Sequence, residues 1–231
     1  MFRSAHRHMT KENLGIYNDL KDKIVTLSIH PGDILKEVDV AKKYNVSRTP
    51  IRDVLKKLEG DGLLEVHSQQ GTYVTKIDLS GITDIMYIRY MVEVGVLKEL
   101  IKVVTPGDIA EFRRILAEQK KLVDKNKENN SFVRDIFAND NLMHQRMYHV
   151  VGKESILERL NSSWPFYSRF RSLSYLRSSS YLSMLYDIHS RMVGIIEDKD
   201  ESQVPEICRQ HNFSGLVGIE DVEAKYPSYF K

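Results

Sequence analysis

Two kinds of chemistry are written into this chain at spacings that a helix would use. The first is a row of cations: Arg48, Arg52 and Lys56 stand four apart, so one α-helix would carry them on a single face. Arginine presents a rigid fork of donors that fits guanine O6 and N7, so an outward row at the start of an exposed helix suits the DNA major groove. Ser47 and Thr49 add hydroxyls near the positive end of the same helix, where a phosphate is favoured. The second is a set of metal-ligand types. Asp140 and His144 are also four apart, in FANDNLMHQRMYH, while His189 lies in LYDIHSRM and His211 in EICRQHNF. Carboxylate and imidazole donors together suit Zn²⁺, Ni²⁺ or Mn²⁺. Each pattern has a plainer alternative. A helical charge row is often only a solvated face, and a lone histidine on an apolar helix is more often a satisfied core residue than a ligand. The four metal-ligand types meet only if the fold brings three helices together.

The elements that would position these residues can be read from periodicity. Leu14, Tyr17, Leu20, Ile24 and Leu27 predict an amphipathic helix over 11–27, stopped at His30-Pro31-Gly32-Asp33. A second helix is predicted over about 36–44. After a tight turn at Asn45-Val46, Ser47 is placed to cap a third, with Pro50 in its first turn, where no N–H is needed. In that third helix Ile51, Val54, Leu55 and Leu58 form the core stripe, which turns the Arg48, Arg52 and Lys56 row outward. LLEVHS and TYVTKI, rich in β-branched and aromatic residues and separated by Gln69-Gln70-Gly71, predict a β-hairpin. Three short helices and a hairpin make a winged helix-turn-helix, with Gly71 letting the wing backbone approach DNA closely. Beyond Asp78 the period is 3.6 throughout, predicting six helices at about 80–103, 107–126, 131–151, 154–177, 180–198 and 203–222. Trp164, Phe166, Tyr167 and Phe170 read as core or cavity lining, and Cys208, His149 and His67 as structural.

Composition excludes several classes. Of 231 residues, 42% are hydrophobic and 29% charged, the balance of a globular protein, and no apolar run approaches the roughly 20 residues that span a bilayer. MFRSAHRHMTKENL lacks the apolar core of a secretion signal. A cytoplasmic location is expected, and the single cysteine, Cys208, fits a reducing compartment. The net charge of +2 divides into 13 basic and 11 acidic residues for positions 1–78 and 21 of each beyond. Bulk charge therefore names no partner; particular charges must.

The stretch PGDILKEVDVAKKYNVSRTPIRDVLKKLEGDGLL, ending in the wing's GTYV, resembles the DNA-binding domain of the GntR family of bacterial transcription regulators over about residues 14–75. That resemblance implies a homodimer on a palindromic double-stranded DNA operator, with Arg48 and Arg52 reading bases and the wing tip in the minor groove. Val38 stands where some relatives carry a basic, DNA-touching residue. The F-x-x-D-x-x-x-H pattern at 137–144, with His189 and His211 separated by 22 positions and Asp200 midway, is similar to the FadR C-terminal domain (FCD) subclass. In its metal-binding members such residues hold one divalent ion, here Asp140, His144, His189 and His211. The R-x-x-x-E motif at Arg89 and Glu93 implies that Arg89 faces the ligand cavity; an i, i+4 ion pair with Glu93 is the alternative. Gly152-Lys153-Glu154 replaces the subclass's usual small-residue-plus-Asn step. Together these imply a mostly α protein. Residues 1–78 form a winged helix-turn-helix, and 79–231 an all-α, effector-binding and dimerising bundle. The function implied is a repressor controlled by a small organic acid bound at the metal. A metal-dependent hydrolase would use similar ligands, but no HExxH-like pairing of ligand and base is present. A purely structural metal is the third reading.

Overall fold

The computed structural model describes residues 9–68, 70–125, 130–163, 165–176 and 179–231. The N-terminal part comprises α1 (Lys11–Val25), β1 (Ile34–Leu35), α2 (Glu37–Tyr44), α3 (Arg48–Gly60), β2 (Leu64–His67) and β3 (Gly71–Val74). Helix α1 stops earlier than the His30–Asp33 turn, because Thr26 caps it with a hydroxyl bond to the Asp22 carbonyl at 2.8 Å. Ser47 occupies the N-cap position of α3 but makes no side-chain capping bond. The wing is a three-stranded antiparallel sheet in the order β1-β3-β2, not a bare hairpin. The two-residue β1 was too short to leave a periodic signal. Ile16, Leu20 and Ile24 of α1 pack on Ile51, Val54 and Leu58 of α3 and on Leu64 and Val74 of the wing. This is the core stripe that turns the cationic row outward.

The helical part comprises α4 (Leu79–Val103), α5 (Pro106–Lys125), α6 (Asn130–Val150), α7 (Glu154–Ser163), α8 (Pro165–Tyr175), α9 (Ser179–Asp198), α10 (Val204–Phe213) and α11 (Ile219–Lys225). Among the described residues eight α-helices thus stand where six were expected. The segment 154–177 divides before Pro165, whose ring and missing N–H suit the first turn of a new helix and break an old one. The segment 203–222 divides at a 3-10 turn, Ser214–Leu216, and at Gly218, whose φ of 66° is left-handed and suits glycine. Trp164 and residues 126–129 lie outside the described residues. The bundle core is apolar: Leu97, Leu100, Phe112, Ile115, Met192 and Ile196 are all buried.

The two parts meet along α1, α8 and the C-terminal tail. Ile77 forms a parallel bridge with Phe230, donates to the Tyr229 carbonyl at 2.8 Å and accepts from the Lys231 amide at 3.1 Å. Leu27, Ile77, Ile82, Phe170 and Phe230 share one buried cluster. Among the described residues no helix is long and apolar enough to cross a membrane.

Candidate functional site

At the start of α3 and along its outer face, Ser47, Arg48, Thr49, Arg52 and Lys56 are all exposed. Ile51, Val54, Leu55 and Leu58 are buried beneath them. The outward row expected from the spacing is therefore present. It is not unpaired. Arg48 Nη2 donates to Glu37 Oε2 at 2.9 Å, and Arg52 Nε donates to Glu37 Oε1 and Oε2 at 3.0 and 3.2 Å. Arg52, then Arg48, holds the Glu37 carboxyl below its usual pKa. Gly71 has a φ of 130°, a region that favours glycine, and it begins the third strand of the wing.

In the bundle, Asp140 and His144 of α6, His189 of α9 and His211 of α10 come together. Their rings and carboxylates are almost wholly enclosed: Asp140 is 2% exposed, His144 5% and His189 1%. The ring centroid of His211 lies 5.0 Å from that of His144 and 5.0 Å from that of His189. Donor atoms fall into two triads sharing His211: Asp140, His189 and His211 in one, Glu93, His144 and His211 in the other, each within 4.8 Å. Glu93 of α4 is thus a fifth member of the cluster. Among the described residues no ion pair joins it to Arg89. Its Oε1 instead accepts from His211 Nδ1 at 2.7 Å and from Asn212 Nδ2 at 3.0 Å.

Neighbouring groups aim these donors. A carboxylate oxygen only accepts, so the bond to Glu93 places a proton on His211 Nδ1; likewise Gln119 Oε1 accepts from His189 Nδ1–H at 3.0 Å, which fixes the tautomer that leaves Nε2 a lone pair. Asp140 Oδ2 accepts from Arg171 Nη2 and from the Tyr175 hydroxyl, leaving Oδ1 3.4 Å from His189 Nε2. Asp140 Oδ1, His144 Nδ1 and His189 Nε2 are buried without a hydrogen-bond partner. His144 Nδ1 lies 3.7 Å from Glu93 Oε2, so three buried polar atoms stand without a hydrogen bond, each at a cost of about 1–3 kcal/mol; a cation taking lone pairs from this set would remove that cost, so the donor set fits a divalent metal.

Electrostatics agrees. Burial would raise the Asp140 carboxyl, but Arg171 and the histidines hold it well below the carboxylate range. Burial opposes ionisation of Glu93 too, and His211 and His144 overcome it, bringing its pKa to about 2. Burial pushes His144 down to about 3 and His189 to about 4, so both are neutral and ligand-competent. His211 is shifted the other way: burial lowers it, but Glu93 more than compensates, and its pKa is raised. Cys208 is buried and its thiol is pushed up by desolvation, which fits a structural role.

Beside the cluster is a cavity of about 30 Å³ lined by Arg89, Asp140, His144, Arg171 and His211 among others. Arg89 Nη1 donates to Asn161 Oδ1 at 3.2 Å and its guanidinium stacks over Tyr167 at 5.0 Å; Arg171 Nη1 donates to Asn141 Oδ1 at 3.1 Å. Asn141 and Asn161 also line an outer cleft of about 640 Å³ whose opposite wall is Asn18, Lys21 and Asp22 of α1. The sequence reading missed Arg171, Tyr175, Gln119 and the second role of Glu93. For Gln119 the available signal was a polar residue on the core-facing stripe of α5; Arg171 left none.

The sequence pattern of bacterial regulatory proteins of the gntR family matches residues 13–74, and that of the FCD domain matches residues 84–213. The chain is 26% identical over 199 residues to the HTH-type transcriptional repressor RspR of Escherichia coli K12, covering 86% of this chain and 85% of that protein. It is also 26% identical over 216 residues to an HTH-type transcriptional regulator in an unstable DNA locus of Streptomyces ambofaciens, covering 93% and 88%. Among solved structures, Escherichia coli McbR/YncC superposes with a TM-score of 0.73 at 20% identity, over 94% of this chain and all of that one. A GntR transcriptional regulator from Rhodococcus sp. RHA1 gives 0.69 at 17% identity, over 96% of this chain and all of that one. These two structures share the fold.

Proposed function

The chain belongs to the gntR family of bacterial regulatory proteins with an FCD domain, a DNA-binding transcriptional regulator and not an enzyme, and from that premise we propose that it is a cytoplasmic repressor whose operator affinity is set by a small carboxylate bound at a divalent metal ion in the bundle. One observation supports this above the others: Asp140 Oδ1, His144 Nδ1 and His189 Nε2 are buried without a hydrogen-bond partner near His211, beside a cavity that Arg89 also lines. Asp140, His144, His189 and His211 would hold the ion, which would supply a positive, Lewis-acidic centre for an anionic ligand. Arg89 would take the other end of the carboxylate.

The effector reaches the cavity from the outer cleft, past Asn141 and Asn161. Ligand entry there disturbs the two arginine–asparagine bonds in the wall that faces α1, so effector and DNA alter each other's affinity. The DNA-binding part, ending at Asp78, acts as one half of a homodimer on a palindromic operator, since a single recognition helix reads too few base pairs to select a site. Tyr87, Ile88 and Met91 form an exposed apolar stripe on α4 that a second copy can cover.

The experiment is metal analysis of protein purified without chelator, beside His189→Ala and His211→Ala, followed by melts of metal-loaded protein with a panel of mono- and dicarboxylates. Bound metal in wild type alone, with an acid-induced stabilisation that Arg89→Ala removes, is expected. Metal without any acid response would make the ion structural. Metal retained at full stoichiometry by both histidine variants would refute the ligand assignment.

A further inference from the structure

Glu37 sits in the first turn of α2, outside the recognition helix, yet its single carboxylate takes both arginines of the outward row. The two are held differently. Arg52 is engaged through Nε alone, and among the described residues no partner takes its terminal Nη1 and Nη2. That leaves the two-pronged end of Arg52 without a protein partner among the described residues, on a side chain 57% exposed, while Glu37 holds its Nε. Arg48 is engaged through Nη2, one of the prongs that a bidentate base contact requires.

We propose that Glu37 is a positioning residue that sets DNA specificity, holding Arg52 ready for a base edge through Nε while withholding Arg48 until a base edge displaces it. The inference rests on the assignment of Arg48 and Arg52 as base readers. On random DNA the competing partners are phosphates, and exchanging Glu37 for a phosphate trades one anionic acceptor for another while leaving Glu37 unpaired beside the negative backbone. A guanine edge offers each arginine two acceptors in the geometry of its fork. Glu37 therefore taxes non-specific binding more than specific binding, and it lowers the ordering cost of Arg52 in the specific complex.

The test uses full-length protein, a duplex selected by wild type from a randomised pool, and a scrambled duplex of the same composition, with affinities read by fluorescence anisotropy at two salt concentrations. Glu37→Ala is expected to lower the selected-to-scrambled affinity ratio about tenfold, chiefly by tightening the scrambled complex and steepening its salt dependence by about one ion. Glu37→Gln, which keeps one acceptor in place without the charge, should retain part of the ratio. Asp39→Asn, which removes an exposed charge from the same helix, should leave the ratio unchanged. In an Arg48→Ala/Arg52→Ala background the Glu37→Ala effect should vanish. An unchanged or raised ratio in Glu37→Ala, an equal fall in Asp39→Asn, or an effect that survives loss of both arginines would each overturn the proposal. If the double arginine variant alone leaves the ratio at the wild-type value, the base-reading assignment itself has failed.

Discussion

Asp140→Asn tests the bundle site at its most constrained atom. The substitution keeps shape and one acceptor, so Arg171 and Tyr175 can still find an oxygen, but it removes the charge that answers a guanidinium only 9% exposed. Removing one partner of a buried ion pair costs about 3–5 kcal/mol, and the retained acceptor places this case near about 3 kcal/mol. For a chain of this size that corresponds to a melting temperature about 6–12 °C lower in the presence of chelator. Asp140 is held below its unfolded pKa, so its contribution is complete above about pH 4 and is lost as pH falls through the folded value. Wild type and variant should therefore converge in acid. Metal adds a second separation. At a hundredfold excess over its dissociation constant a ligand stabilises the native state by about 2.7 kcal/mol, and only wild type, which keeps an anionic Oδ1, should show that gain. Scanning fluorimetry with chelator and then with Zn²⁺ measures both. A loss under about 1 kcal/mol with chelator would show that Arg171 does not depend on this carboxylate, and equal metal-induced shifts in the two proteins would refute Asp140 as a ligand.

Three further outcomes are expected. His144 and His189 are already neutral above pH 5 while His211 is raised above the ordinary imidazole value, so metal binding at pH 6 should release about one proton, seen by calorimetry in buffers of different ionisation enthalpy; heats independent of buffer would remove His211 from the ligand set. Arg48→Ala and Arg52→Ala should each cost about 1–3 kcal/mol on the selected duplex, whereas Lys56→Ala should weaken selected and scrambled duplexes alike and reduce the salt slope by about one, and identical profiles for all three would erase the distinction between base and phosphate contacts. Arg169→Met, which removes a buried cation with no carboxylate partner among the described residues but also the donor to the Thr75 carbonyl, should cost at most about 1–3 kcal/mol and keep the acid-induced melting shift, yet abolish the acid's effect on DNA binding; retained coupling in gel shifts would exclude this residue from the route.

The legible parts of this protein were those in which period and position decide structure. Ile51, Val54, Leu55 and Leu58 had to face inward, so Arg48, Arg52 and Lys56 had to face out, and they do. The histidines could be nominated by type but not brought together by any local rule. Their meeting depends on α6, α9 and α10 packing around α4 and α5, which no spacing encodes. Only the resemblance to a known bundle supplied that step. Helix count failed where a break is set by a single residue inside an otherwise periodic segment, at Pro165 and near Gly218. Arg171 was illegible for a different reason. In SRFRSLSY an arginine at a helical position ordinarily reads as surface, and only the buried Asp140 opposite it explains why it points inward.

Helix α8 carries the strongest physical argument for how a ligand in the bundle could reach the DNA-binding part. Three of its residues touch the candidate site: Tyr167 lies under Arg89, Arg171 holds Asp140, and Tyr175 donates to the same carboxylate. Between them, Arg169 points the other way. It is 0% exposed, its Nη1 and Nη2 donate to the carbonyl and hydroxyl of Thr75, and burial alone lowers its pKa to about 10. A buried cation that faces dipoles instead of a carboxylate is a costly way to join two surfaces, and an aliphatic side chain would pack there more cheaply. What the arginine adds is direction: its bonds to Thr75 hold only for one placement of α8 against the end of the wing. Gly215 reinforces that constraint, because a Cβ there would lie 2.7 Å from the Phe170 ring, so the tail lies directly against α8 and continues to the Phe230 bridge with Ile77. A small shift of α8 toward or away from the histidine–carboxylate cluster therefore acts on Thr75 and Ile77 together, one on each side of Lys76, where the chain passes from the winged helix to the bundle.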